Sequence, residues 1–332
     1  MSSGKRVSLR TIAKMCGVSP ATVSRIANGS GDFSEKTRTL VLETMRREGY
    51  FKTEDSMSGM PASAIAVLIT DISNEYFAAM LPVITDYFTE KNLRTAIHLL
   101  GSDSRKNAAL LKSLQSSGVA GIIVIGTTRL DLTDAGVPNV YLASFPLDNE
   151  SRRYTVRSDE FVGGQLAAQE LLRRGCKDPI VLFNRFINPD ISPRLQGFLY
   201  EFESQGIKIP QEKVFMADTS KTSFDSARDM VSYLWTKGVP FDSIFACSDW
   251  RACGALVALQ SIGVRVPEDV SIVGYDAIHL SRCLNPSITS VRQNVPNLAR
   301  SACDMLWKLM CGEEPENPNI QIPVDLQIGR TT

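Results

Sequence analysis

Two groups of residues in this chain have side chains suited to recognition. One gathers carboxylates, a guanidinium and aromatic rings: Asp71-Ile-Ser-Asn74-Glu-Tyr76-Phe77, then Phe145, Arg194, Asp249-Trp250 and Asp276. Carboxylates and a guanidinium fork can hydrogen-bond vicinal hydroxyls, while aromatic faces cover the apolar side of a sugar ring. That set suits a small polyhydroxylated ligand. The other lies near the N-terminus, in Ser19-Pro-Ala-Thr-Val-Ser-Arg25-Ile-Ala-Asn28. Arg25 is the one side chain expected on its outward face that can pair bidentately with guanine, and Thr22, Ser24 and Asn28 can donate to phosphates.

Catalytic chemistry finds no comparable set. No paired Ser/His or Cys/His and no glycine-rich phosphate loop falls where a strand meets a helix. His98 and His279 are far apart, and the seven cysteines are scattered without a Cys-x-x-Cys pair. Reduced thiols in a cytoplasm are expected, with no disulfide frame, metal or cofactor.

The elements that must position these residues follow from periodicity. Ser8 can cap a first helix with a buried stripe of Leu9, Ile12, Ala13 and Met15. Gly17 suits the left-handed turn that ends it, and Ser19-Pro20 is a strong start for a second helix. Val23 and Ile26 face inward, leaving Pro20, Ala21, Thr22, Ser24 and Arg25 outward. A third helix, from Ser34 to about Arg47, closes a small core with Val41, Leu42 and Met45. Helix, tight turn and outward donors are the parts of a helix-turn-helix DNA reader.

Charge agrees. Residues 1–52 hold ten Lys or Arg against four Asp or Glu, and the remainder holds 26 against 32. The zero net charge is therefore a basic head on an acidic body, and the head can release counterions from DNA. With 332 residues, 43% hydrophobic and 22% charged, the chain suits two or three globular domains. No apolar run approaches a membrane span, and the opening Met-Ser-Ser-Gly-Lys-Arg lacks the apolar stretch of a signal peptide.

Beyond Tyr50 a polar, turn-rich linker leads into alternating strands and helices. Strands are expected at 65–69, 95–100, 121–125 and 139–143, then at 180–183, 214–216, 244–247 and 270–274. Helices near 76–91 and 104–117, then 159–174, 194–205, 222–237 and 250–262, separate them. Pro82 predicts a kink or a late start in the first of these. Two such sets imply two doubly wound α/β lobes, with ligands bound beyond the carboxyl ends of the strands. The polar residues named first fall at those ends. Asp71, Asp159 and Asp249 could equally cap the helices that follow.

The quoted head segment and several further motifs together resemble the LacI/GalR family of bacterial transcription regulators, from about Ser8 to Asp325. The further motifs are 71–77, Gly118-Val-Ala-Gly-Ile-Ile-Val124, Ser158-Asp-Glu-Phe-Val-Gly-Gly164, Arg194-Leu-Gln-Gly-Phe198, Val266–Asp276 and Ile288–Gln293. The resemblance implies a helix-turn-helix head (1–50), a hinge (51–62) and a two-lobed core like a periplasmic binding protein. One lobe would comprise 63–157 and 291–320, the other 158–290 and 321–332. It implies a homodimer on a pseudo-palindromic operator, controlled by a sugar-like effector between the lobes.

By matching positions, Pro20, Ala21 and Arg25 would read bases, and Ser19, Thr22, Ser24, Asn28, Ser34 and Thr37 would contact the DNA backbone. Asn74, Tyr76, Phe77, Arg194, Asp249 and Asp276 would contact effector, joined by Phe145 and Trp250 from the reading of strand ends. Gly163 and Gly164 would let a helix pack closely near the lobe crossover. Two features depart from the family. The hinge stretch 51–60 carries Glu54 and Asp55 and lacks the usual Ala-Leu wedge. Pro20 and Ala21 offer no side-chain donor, so direct base readout rests on Arg25. The chain has no leucine-heptad tail, which makes a dimer the expected assembly.

Overall fold

The computed structural model describes residues 9–27, 33–47, 64–101, 103–126, 130–132, 135–144, 154–183, 192–216, 218 and 220–332. The expected positions Asn28 and Phe145, and the hinge 51–62, lie outside these residues.

In the head, α1 (Leu9–Cys16), α2 (Pro20–Ala27) and α3 (Glu35–Arg47) enclose a core of Ile12, Ala13, Val23, Ile26, Val41 and Met45. Gly17 takes φ +67°, and the Val18 amide reaches back to the Ala13 carbonyl, so the chain reverses within three residues. Met15 corrects the expected stripe: it is 52% exposed, and Cys16 packs against the core instead. At 100° per residue, positions 9, 12, 13 and 16 share one face of the helix and 15 does not.

The body contains two six-stranded sheets. The first has the order β11-β5-β4-β3-β1-β2, all parallel, from β1 (Ala64–Ile69), β2 (Arg94–Leu99), β3 (Gly121–Ile125), β4 (Asn139–Leu142), β5 (Thr155–Ser158) and β11 (Asn319–Ile322). The second has the order β12-β10-β9-β8-β6-β7, from β6 (Pro179–Phe183), β7 (Val214–Met216), β8 (Ser243–Ala246), β9 (Ser271–Asp276), β10 (Thr289–Gln293) and β12 (Val324–Gln327). There β12 runs antiparallel to β10 and the other pairings are parallel. Central strands such as β1 and β3 are apolar throughout because helices cover both faces.

The chain passes between the sheets three times: after Ser158, after Gln293 and between Ile322 and Val324. β10 stays in the second sheet through Gln293, three residues past the crossing placed at 290/291. α12 (Val295–Met310) then packs on the first lobe, where Leu298, Ala299, Ala302 and Leu306 join its core. Helix 76–91 is split, as Pro82 suggested: α4 (Glu75–Ala78) stops and α5 (Met80–Thr89) starts with Pro82 in its first turn, where no amide is needed. The remaining helices are α6 (Ser104–Ser117), α7 (Glu160–Arg173), α8 (Pro193–Ser204), α9 (Ser223–Thr236), α10 (Asp249–Ser261) and α11 (His279–Cys283).

Candidate effector cleft and DNA-reading face

Strand order reverses between β1 and β3 in the first sheet and between β6 and β8 in the second, so these are the switch points where α/β sheets take ligands. Residues 71–77 leave β1, Arg194 opens α8 after β6, and Asp249–Arg251 follow β8.

Arg194 is held on every side. Its Nε and Nη2 donate to Glu160 Oε2 and Oε1 at 2.9 and 2.8 Å, and Nη1 donates to the Cys247 carbonyl. The guanidinium carbon stands 3.4 Å from the centroid of the Tyr275 ring. Burial alone would favour the neutral base, but Glu160, Tyr275 and Asp276 outweigh it and keep Arg194 charged. Burial pushes the Glu160 carboxyl up, and Arg194 pulls it back. Gly164 makes this placement possible: a Cβ there would collide with the Arg194 carbonyl oxygen, so α7 and α8 approach closely only because it is glycine.

A second network joins the lobes through Gln293, which is 4% exposed. Its Oε1 accepts from Tyr76 Oη at 2.7 Å and from Ser158 Oγ at 2.6 Å, while its Nε2 donates to Asp276 Oδ1 at 2.7 Å. Asp276 sits at φ +106° and Ala277 at +52°, a strained corner that turns the carboxylate into the cleft. Burial pushes the Asp276 carboxyl up to about 8, against the pull of Arg194. Across the cleft the His279 amide donates to Glu75 Oε1 at 2.6 Å, and Trp250, Ile278 and Leu280 pack against the first lobe's core. The lobes are closed on one another.

The other expected residues fall into distinct places. Tyr76 is in the cleft network, and Phe77 packs on the first core. Asn74 caps α4 by accepting from the Tyr76 amide at 3.1 Å, and Asp159 caps α7 through the Val162 amide. Asp71 closes a local turn onto Ser73. Asp249 is a correction: it is fully buried behind the cleft, accepting from Ser290 Oγ at 2.6 Å and the Ile278 amide at 2.8 Å. Fully buried and with both oxygens engaged, it braces the corner that holds Asp276 and so positions that residue. Burial raises its carboxyl to about 6. Gln293 and Glu160 were not singled out from sequence. Both stand inside quoted motifs at an element's end, which was the available signal.

On the head, Pro20, Ala21 and Arg25 are exposed on one side of α2, with Thr22 and Ser24 half-buried beside them. Ser19 Oγ accepts from the Thr22 amide at 3.0 Å, and Ser34 Oγ from the Thr37 amide at 3.2 Å, so both expected phosphate contacts also cap helices. Their hydroxyls lie at two exposed helix N-termini, which suit phosphate oxygens.

Comparison with known proteins agrees with both halves. Residues 8–52 match the model of bacterial regulatory proteins of the lacI family, and 168–332 match that of a periplasmic binding protein-like domain. The chain is 27% identical over 330 residues to a ribose operon repressor of Halalkalibacterium halodurans, covering 98% of this chain and 96% of that one. It is 28% identical over 305 residues to the HTH-type transcriptional repressor PurR of Actinobacillus pleuropneumoniae, covering 90% and 89%. The lac repressor dimer bound to operator and an anti-inducer superposes with a TM-score of 0.73 at 23% identity, covering 98% and 99%.

Proposed function

This chain belongs to the LacI family of bacterial regulatory proteins, and from that premise we propose how its DNA-binding head and its core form one switch. It is a sequence-specific DNA-binding transcriptional regulator, acting as a repressor. Residues 1–50 bind operator DNA, 51–62 link, and the two lobes close on a small effector. Pro20, Ala21 and Arg25 meet base edges, while Ser19, Thr22, Ser24, Asn28, Ser34 and Thr37 hold the phosphates. Arg194, Asp276, Tyr76, Trp250 and Phe145, with Gln293 and Glu160, line the effector site; Asn74 and Phe77 shape its first-lobe wall. The effector is a sugar or sugar derivative, the working unit is a cytoplasmic homodimer, and no catalytic group, metal or cofactor is used.

The observation that carries this reading is the bond pattern of Gln293. One side chain at a lobe crossing joins Tyr76 of the first lobe to Asp276 of the second. A ligand hydroxyl competing for either bond therefore acts on the lobe hinge itself. Effector and operator must change each other's affinity by one shared factor. Operator titrations with and without a panel of sugars and nucleosides test this, and an operator affinity unmoved by any core ligand would refute the switch.

A further inference from the structure

Arg251 is a buried charge with no ion-pair partner among the described residues. It lies in the first turn of α10, after β8, at the switch point of the second sheet, and is 7% exposed. Its one side-chain hydrogen bond among the described residues runs from Nη1 to Ser248 Oγ at 2.9 Å, and its Nε has no partner. No carboxylate forms an ion pair with it among those residues: Glu160 is spent on Arg194, and Asp276 is engaged by Gln293. Around it stand Leu182, Phe183, Phe215, Met216 and Met230, lining with it a pocket of about 10 Å³, room for roughly one water-sized group. A methionine in this place would pack as well and cost no desolvation, so stability does not explain a guanidinium here.

We infer that the effector is anionic, a polyol bearing a carboxylate or phosphate, and that Arg251 takes one oxygen of its acidic group in this one-water space while the Arg194–Asp276–Gln293 side of the cleft takes its hydroxyls. The assignment rests on the effector-binding reading above. A guanidinium fork matches the planar carboxylate and the phosphate face, and a neutral hydroxyl cannot balance its charge. Charge balance in the cluster agrees. Burial lowers the Arg251 pKa, Cys247 and Asp276 pull it back in part and Arg194 adds a smaller push down, while the raised Asp276 carboxyl supplies little negative charge near neutrality. An incoming anion would supply the missing charge.

The test compares the full chain with Arg251→Met and Arg251→Lys by thermal unfolding. In anion-poor buffer Arg251→Met should melt higher than the parent by roughly 2–4 °C, because a buried unpaired charge is gone. Potassium acetate or potassium phosphate, at ionic strength matched with chloride, should raise the melting point of the parent and of Arg251→Lys but not of Arg251→Met. A larger response to acetate assigns a sugar acid, and a larger one to phosphate a sugar phosphate. A lower melting point for Arg251→Met, or equal anion responses in parent and Met variant, overturns the inference. Operator titration separates this from the regulatory reading. If glucose or ribose shifts operator affinity equally in parent and Arg251→Met, the switch stands and the anion site falls. If gluconate, glucose 6-phosphate and the neutral sugars all leave operator affinity unmoved while the melting behaviour is as expected, the anion site stands and the switch falls.

Discussion

Glu160 engages Arg194 through two parallel hydrogen bonds of 2.8 and 2.9 Å, with both side chains almost removed from solvent. Such a pair contributes little net stability while intact, but losing one member leaves the other charged and buried. Glu160→Ala should therefore destabilise the core by about 3–5 kcal/mol. The double change Glu160→Met with Arg194→Met should cost clearly less than Glu160→Ala alone. Denaturant unfolding followed by tryptophan fluorescence compares them, and additive losses would mean that the two residues act independently.

Close packing of α7 on α8 gives a second expectation. A methyl at Gly164 would meet backbone atoms of Arg194 and Phe198, which cannot swing aside as a side chain could. Gly164→Ala should cost about 1–3 kcal/mol, whereas Gly101→Ala, where a Cβ would meet only the Asp103 amide nitrogen at an ordinary 3.9 Å, should stay within about 0.5 kcal/mol. Equal melting points for the two variants would count against the contact.

The pH response follows from Asp276. Burial pushes its carboxyl up to about 8 from an ordinary 3.8, with Arg194 pulling it down and Asp249 and Glu160 adding to the rise. Folding thus takes up a proton. The stability tied to that proton is fully present below about pH 4 and is lost as pH rises through about 8. The melting point of the parent should therefore fall more between pH 6 and 9 than that of Asp276→Asn, whose amide cannot ionise. Parallel curves would remove Asp276 as the cause.

At the DNA face, Arg25→Ala should relax preference at one base pair in each half-site and cost about 1–3 kcal/mol there. Thr37→Val should weaken all sequences by a similar factor, because a phosphate contact carries no base information. Selection from a randomised operator library reads both, and a uniform loss in Arg25→Ala would assign Arg25 to phosphate.

Much of this architecture is legible in the chain because single elements announce themselves. The run 104–117 lies between Asp103 as cap and Gly118 as left-handed stop, and α6 spans the same residues. The apolar runs at 121–125 and 214–216 became β3 and β7. Crossing segments were harder to read. β5 and β11 have four residues each and pair with one another across more than 150 residues of sequence, so periodicity had little to act on. The cleft was legible by residue type and less so by role. Asp249 and Asp276 look alike as acids after strands, yet one braces a corner and the other faces the opposite lobe. What separates them is the positive φ at 276 and 277 together with Ser290, a residue 41 positions beyond Asp249.

Three passages of chain between the lobes do more than connect them. One tether would permit any relative motion and two would permit a swing with a twist. Three passages with one end anchored in each lobe leave a rotation of one lobe against the other as the soft movement. The message sent to DNA is then a single angle, whatever the chemistry that set it. Ligand preference could drift by exchange of side chains such as Arg251, leaving the mechanical output of the molecule untouched.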